Sequence, residues 1–297
     1  MQPIVECVPN FSEGRRPEVV ETIVDSMRQV PGARVLDVQS DADHNRSVVT
    51  VVGGPEAVLE AAFQGMAAAA RLIDMEQHHG AHPRMGATDV VPLVPVRGLS
   101  MADCVALARR LGERAGAELG IPIYLYEEAA TRPERRNLAD VRRGEYEQIK
   151  AEIGLCADRL PDFGPARLGP AGATAIGARP PLIAFNVYLD SDDVAPAKAI
   201  ARAVRHSSGG LPFVKALGLL VDGQAQVSMN LTDYRRTPIH RVVELIRAES
   251  ARYGLPVTRC EVVGLLPAEA LLDAAQFYLQ LDDLSPNQIL ENHLAGE

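Results

Sequence analysis

With 297 residues, 47% of them hydrophobic, the chain carries enough apolar content for one large core or two of ordinary size, which excludes disorder as its default state. A formal net charge of −9 and an aromatic content of 4% with no Trp argue against a nucleic-acid partner, because the electrostatic and stacking contributions to such binding are both missing. No apolar run reaches the roughly 18 residues of a membrane span. The opening MQPIVECVPNFSEGRR has acids and a proline where a signal peptide needs a basic and then an apolar stretch, so a soluble, cytoplasmic protein without a membrane partner is expected.

In chain order, PIVECV (3–8) reads as a strand, 17–29 as a helix, and 34–39 and RSVVTVVG (46–53) as strands. From Pro55 to about Met75 the residues Ala, Val, Leu and Ile recur at helical spacing, and VVPLVPV (90–96) is a strand. Ser100 is placed to cap a helix running to about Gly120, and IPIYLY (121–126) is a short strand. The order β-α-β-β-α-β then returns, with a strand at 182–189, a helix at 194–205, strands at VKALGLLV and AQVSMNLTDY, a helix at 238–253 and a strand at 259–265. An α/β (α+β) fold is therefore expected, with two tandem ferredoxin-like βαββαβ sandwich subdomains, mixed sheets, and an inter-subdomain cleft suited to a ligand. Between them LPDFGPARLGPAGATAIGARPP is dense in Gly and Pro and carries little periodicity, which sets the subdomains at 1–178 and 179–297.

The segment HHGAHPRMGATD, His78–Asp89, packs three histidines, an arginine, two glycines and an aspartate into one loop. Histidine titrates nearest neutrality, at about 6.5, and so can both accept and return a proton. His78 and His82 have the spacing of two metal ligands on a helix, but the glutamate after the first histidine is missing, and Gly80 and Pro83 oppose a helix. No serine elbow or reactive cysteine accompanies the loop, which disfavours nucleophilic catalysis. General acid-base chemistry by one histidine, with Arg84 or a carboxylate orienting an anionic substrate, is weighed against a loop whose side chains only satisfy backbone groups.

Three further loops are candidates. SDADHNRSVV (40–49) is an Asx-rich turn or a carboxylate and guanidinium aimed at a ligand. ECVPNFSEGRR is a plain strand-to-helix connection or a set of N–H groups offered to an anion. RHSSGGLPFVKALG combines cations with a glycine turn that suits carboxylates. Cys7, Cys104, Cys156 and Cys260 lack CxxC spacing and read as buried free thiols rather than zinc ligands or disulfides, so no metal is expected.

VECVPNFSEGR, DHNRSVVTVVG, LIDMEQHHGAHPRMGATDVVPLVPVRG, NLADVRRGEYE, PDFGP, GATAIGARPPLIAFNVYL, SSGGLPFVKALG and QVSMNLTDY together resemble the glutamate formimidoyltransferase family, the transferase part of formimidoyltransferase-cyclodeaminases, from Val5 to about Ala275. The resemblance implies transfer of the formimidoyl group from N-formimidoyl-L-glutamate to N5 of tetrahydrofolate, giving 5-formimidoyltetrahydrofolate and L-glutamate in histidine degradation. It also implies tetrahydrofolate as co-substrate, a homodimer, and formiminotransferase N- and C-terminal subdomains. The histidine preceding Pro-Arg-Met-Gly is the family's catalytic residue, here His82, and the folate-contacting stretch falls on Asp162, Phe163, Gly164 and Pro165 and onward to Gly172.

Two departures matter. The chain ends at Glu297 without room for a cyclodeaminase, so a separate cyclodeaminase is expected to act on the product. An acid common in relatives two positions after Asp37 is replaced by Gln39, so the acidic partner of His82 is expected from Asp41 or Asp43. Both substrates carry carboxylates. Asn10, Arg46, Arg179 and Lys215 are the candidates for holding them, with Arg84 in support. The alternatives are an enzyme acting on 5-formyltetrahydrofolate and a non-catalytic folate-binding subunit.

Overall fold

The structure, a computed structural model, describes residues 2–80 and 82–294, so Ala81 of the expected His78–Asp89 loop lies outside the described residues. Contacts divide the chain into two compact units, Met1–Pro180 and Pro181–Glu297.

The first unit opens with β1 (Ile4–Cys7) and β2 (Asn10–Phe11), followed by α1 (Pro17–Arg28), β3 (Ala33–Asp41), β4 (Arg46–Gly53), α2 (Pro55–Leu72) and β5 (Thr88–Arg97). Both α1 and α2 start on a proline, which gives up no intrahelical hydrogen bond in the first turn. β1 and β2 lie between β4 and β5, antiparallel to both, and β3 flanks β4 on its far side. The resulting order β5-β1-β4-β3 is that of a ferredoxin-like sheet.

The chain then adds α3 (Met101–Glu118), β6 (Ile123–Glu127), α4 (Leu138–Val141), α5 (Glu145–Glu152) and β7 (Thr174–Ala178). Ser100 caps α3 as expected: its hydroxyl accepts from the Asp103 amide at 3.2 Å, and the Asp103 carboxylate accepts from the Ser100 amide at 2.8 Å. β7 runs parallel to both β5 and β6 and lies between them, which makes the first sheet mixed. β7 was not expected. All five of its residues are buried, so it has no alternation to betray a strand, and it falls in the Gly- and Pro-dense stretch.

Side-chain alternation gives the first sheet two different faces. Val5, Cys7, Phe11, Val49, Val51, Val91 and Leu93 pack against α1, α2 and α3 in the main core. Val90, Tyr124, Tyr126 and Ala175 form a second cluster with Met85 and with Val141 and Ile149 from α4 and α5.

The second unit contains β8 (Ile183–Leu189), α6 (Val194–Val204), β9 (Val214–Val221), β10 (Gln224–Leu231), α7 (Ile239–Ala251), β11 (Val257–Val263), α8 (Ala268–Leu279) and α9 (Leu290–Leu294). Its sheet order, β11-β8-β10-β9, is again ferredoxin-like, but every pairing is antiparallel where a mixed sheet was expected. Asp222 and Gly223, at φ of 50° and 75°, make the tight turn between β9 and β10. Ile183, Val187, Ile200, Val227, Val242 and Ile246 form its core.

Cys7 and Cys104 are buried as expected, whereas Cys156 and Cys260 are exposed, since they sit on a loop and on the edge strand β11. Among the described residues, no helix is long and apolar enough to cross a membrane.

Candidate active site

Alternation along β4 sends Ser47, Val49 and Val51 into the main core and turns Arg46, its first residue, to the opposite face. There the Arg46 guanidinium donates through Nε to Oδ1 of Asn10 on β2 at 3.0 Å, and through Nη2 to the same oxygen. Asn10 is fixed in turn by its own donation to the Val8 carbonyl at 2.6 Å.

Nη1 of Arg46 reaches His82, 2.6 Å from Nε2 and 2.5 Å from Nδ1. Arg46 can only donate and the Pro83 carbonyl, 2.6 Å from Nδ1, can only accept; the tautomer that serves both has the ring proton on Nδ1 and the lone pair on Nε2. Arg46 therefore donates to Nε2. Asp89, 2% exposed at the start of β5, closes the group: it accepts from the Met85 amide at 3.1 Å and from Arg142 through Nε at 3.2 Å and Nη2, and stands 3.5 Å from Nη1 of Arg46.

One buried carboxylate thus sits between two guanidiniums, leaving a surplus of positive charge beside His82. Burial, then the charges of Arg46 and Arg142, push the His82 imidazole down to about 4, against the opposing pull of Asp89 and the Pro83 carbonyl. Burial also brings Arg46 down to about 10, with Asp89 opposing and Arg142 adding to it. The ring is held neutral, with one defined lone pair, in a place that favours anions.

The loop bearing His82 is pressed against its neighbours. A Cβ on Gly86 would stand 2.1 Å from the Ala173 carbonyl oxygen, and one on Gly80 would stand 2.4 Å from that of His44, so only glycine fits at either position. The three histidines have separate places. His78 is buried, donates through Nε2 to the Asn45 carbonyl at 3.1 Å and accepts from Nε of Arg84 at 3.4 Å. His79 is exposed and its carbonyl accepts from the side-chain Nδ2 of Asn45 at 3.0 Å.

Arg84 is also committed. Its guanidinium donates to Glu145 at 2.6 Å and to Glu147 at 2.5 and 3.0 Å, so it ties the His82 loop to α5, at the rim of the small cleft that it lines with His82 and Arg46. Asp41 does not reach His82. It holds His44 instead, with its carboxylate 2.7 Å from ring Nδ1 and 2.9 Å from the backbone amide, while Asp43 is exposed in the same turn and Gln39 donates to Asp37.

Of the folate candidates, only Gly172 lies at the His82 loop, bridged to Gly86. Asp162 is saturated by Arg135 at 2.5 Å, the Leu125 amide at 2.8 Å and the Thr131 hydroxyl. Phe163 bridges to Ile123 on the outermost strand β6 and packs on Gly112 of α3, and Gly164 packs on Gly116 of the same helix. The stretch Asp162–Pro165 therefore lies at the sheet edge opposite β3, away from Arg46 and His82.

Arg179, at the end of the first unit, lies beside Glu6 and Tyr126. Burial raises both of those groups, with Arg179 opposing. Lys215 is on β9 of the second unit, opposite Asn230. The structure thus brings together Asn10, Arg46 and His82 from the candidates and adds Asp89 and Arg142. Asp89 stands within the histidine-rich loop, whereas Arg142 is 53 residues further on, in NLADVRRGEYE, where no local pattern marks it. Among the described residues, no group of three or more His, Cys, Asp or Glu side chains is arranged to hold a metal ion.

Residues 4–179 match the family model described as formiminotransferase domain, N-terminal subdomain, and residues 184–294 match that of the formiminotransferase domain. The chain is 49% identical over 300 residues to glutamate formimidoyltransferase of Streptococcus pyogenes serotype M1, covering all of both chains. It is 50% identical over 295 residues to the protein of the same name from Thermoplasma acidophilum, covering 98% of this chain and 97% of that one. Against the formimidoyltransferase-cyclodeaminase of Sus scrofa the identity is 46%, over 96% of this chain and 54% of that one. Two matched domain models that together span most of the sequence, and relatives alike from end to end, place this chain in the formiminotransferase family.

Proposed function

We propose that the chain transfers the formimidoyl group of N-formimidoyl-L-glutamate to N5 of tetrahydrofolate, and that His82 is its catalytic proton carrier. The observation that carries the reading is the oriented, neutral imidazole at the focus of a cationic, half-buried cluster.

N5 attacks the formimidoyl carbon, a tetrahedral species forms, and the bond to the glutamate nitrogen breaks. The N5 proton must leave as this happens, and Nε2 of His82 carries the lone pair that takes it, freed when the substrate carboxylate draws the Arg46 guanidinium off the ring. Arg46 and Arg142 exceed the charge of Asp89 by one, and a substrate carboxylate supplies the missing negative charge. Its arrival lifts the His82 pKa from about 4 toward neutrality, so the base strengthens when the substrate is bound. Asp89 is the positioning residue that holds Arg46 and Arg142 at the site. In this reading Arg84 shapes the site, and the pterin meets the protein near Gly172 rather than at Asp162.

The test is a steady-state assay offering formimidoylglutamate and 5-formyltetrahydrofolate separately. Formimidoylglutamate is expected to be consumed with tetrahydrofolate as acceptor. His82→Ala is expected to lower kcat by about 100- to 10,000-fold with folate affinity nearly unchanged. Consumption of the formyl compound alone, or full activity in His82→Ala, overturns the reading.

A further inference from the structure

His82 alone is poorly equipped for both proton transfers that the reaction needs. Its Nδ1–H is committed to Pro83, and two guanidiniums oppose the imidazolium form. A second histidine faces the same small cleft. The ring of His44 stands edge-on to that of His82, with centroids 6.2 Å apart, and both line the cleft together with Ser12 and Arg46.

The surroundings of His44 are the reverse of those of His82. Its Nδ1 is 2.7 Å from the Asp41 carboxylate, which can only accept, so Nδ1 carries a proton and Nε2 is the nitrogen left for proton transfer. A carboxylate on one ring nitrogen holds the tautomer and stabilises the imidazolium when it forms. Partial burial works against the Asp41 carboxylate, but its hydrogen bonds from the His44 amide and ring keep its pKa below the ordinary aspartate value. The charged and titratable groups around His44 are Asp41 and Asp43 in its own turn, Arg15, which donates to the Ala42 carbonyl at 2.7 Å, and, in the lining of the cleft, Arg46, His78, His82, Arg84 and Asp89.

We propose that His44, oriented by Asp41, is a second catalytic residue of the transfer, protonating the departing glutamate nitrogen while His82 takes the proton from N5. This rests on the transfer reading above. In the step, the N5 lone pair forms the new N–C bond and the N5 proton passes to Nε2 of His82. The old C–N bond then breaks, with its electron pair going to the glutamate nitrogen, which takes the proton from Nε2 of His44. A proton passed from His82 to His44 through solvent restores the starting state. Two histidines with opposite charge environments are the arrangement expected of a separate base and acid. Asp41 is then a positioning residue, and the missing acid at Gln39 is answered through His44 rather than by contact with His82.

The test compares His44→Ala, Asp41→Asn and His82→Ala through full pH profiles of kcat. The His44 side chain is about half exposed, so its removal leaves the fold intact. His44→Ala is expected to lower kcat about 100-fold, to lose the alkaline limb of the profile, and to regain part of its activity with added imidazole. Asp41→Asn is expected to lower kcat less and to move the alkaline limb to lower pH. An unchanged kcat, or a lower kcat with an unchanged profile and no rescue, in His44→Ala overturns the proposal while an inactive His82→Ala leaves the transfer reading standing. Activity retained in His82→Ala removes the reading itself.

Discussion

The two units have the same strand order and the same helix-covered face, yet their other faces differ in kind. In the second unit that face carries a small, part-buried network in which Asn186 and Tyr188 donate to Glu261 at 3.1 and 2.9 Å, with the exposed Arg259 stacked 3.4 Å over the Tyr188 ring. Each charge there keeps access to water, which makes such pairs weak and replaceable. In the first unit Asp89 is buried between Arg46 and Arg142, and the ring of His82 is forced neutral beside them. What separates the units is the segment after β5. It brings Arg142 and α5 over the sheet, excludes water and so makes the same residue types act strongly on one another. The shared topology is a platform, and the chemistry comes from what covers it.

The contrast breaks most readily at Arg46. Arg46→Ala is expected to lower kcat/KM by about 100- to 1,000-fold in the assay described above. A fall of less than tenfold would mean that the cluster of the first unit is structural. Next in size are paired core truncations. Leu111→Ala in the first unit and Ile200→Ala in the second should each cost about 2–5 kcal/mol in denaturant unfolding, but Ile200→Ala should leave kcat per folded molecule intact. A kcat loss there would place part of the chemistry on the second unit.

Arg84→Lys should lower stability by about 1 kcal/mol and leave the substrate KM nearly unchanged, because the guanidinium already has two carboxylate partners. A large rise in KM would return Arg84 to substrate binding. The smallest effect is on acid stability. His82 is lowered by burial and the two arginines, and His240 of the second unit is lowered by burial and Arg241. Each is favoured neutral in the folded state, so its contribution is present above the unfolded value near 6.5 and is lost as pH falls, for His82 down to about 4. His82→Ala should therefore show a smaller drop in Tm between pH 7 and pH 4.5 than the parent, and His240→Ala a still smaller benefit of the same sign.

Most elements were legible because their patterns are local. β4 (Arg46–Gly53) and β9 (Val214–Val221) match the expected bounds residue for residue, and the Ser100 cap is where its spacing puts it. β7 was not legible, because burial on every side erases alternation. α8 lies beyond the last expected strand, its buried face reduced to Ala270. At the site, His82, Arg46 and Asn10 could be named from loop chemistry and resemblance. Asp89 and Arg142 could not be joined, because an ion pair across 53 residues leaves no periodic trace. The acid sought for His82 in Asp41 was present, but its carboxylate turns to the nearer His44.

β7 is the last strand of its unit in sequence but occupies an inner place in the sheet, pairing Val90 with Ala175 and Ile123 with Thr174. Until residue 178 has emerged during synthesis, β5 and β6 each lack the neighbour that joins them, which leaves two unpaired edges. Such edges invite pairing with other chains. Closing them requires a contact between residues 85 positions apart, the kind that slows folding. The backbone bonds from Ala87 to Ala171 and from Ala173 to Met85 that seat the His82 loop need the segment leading into β7, so that loop cannot be fully seated until this late part of the unit has been made.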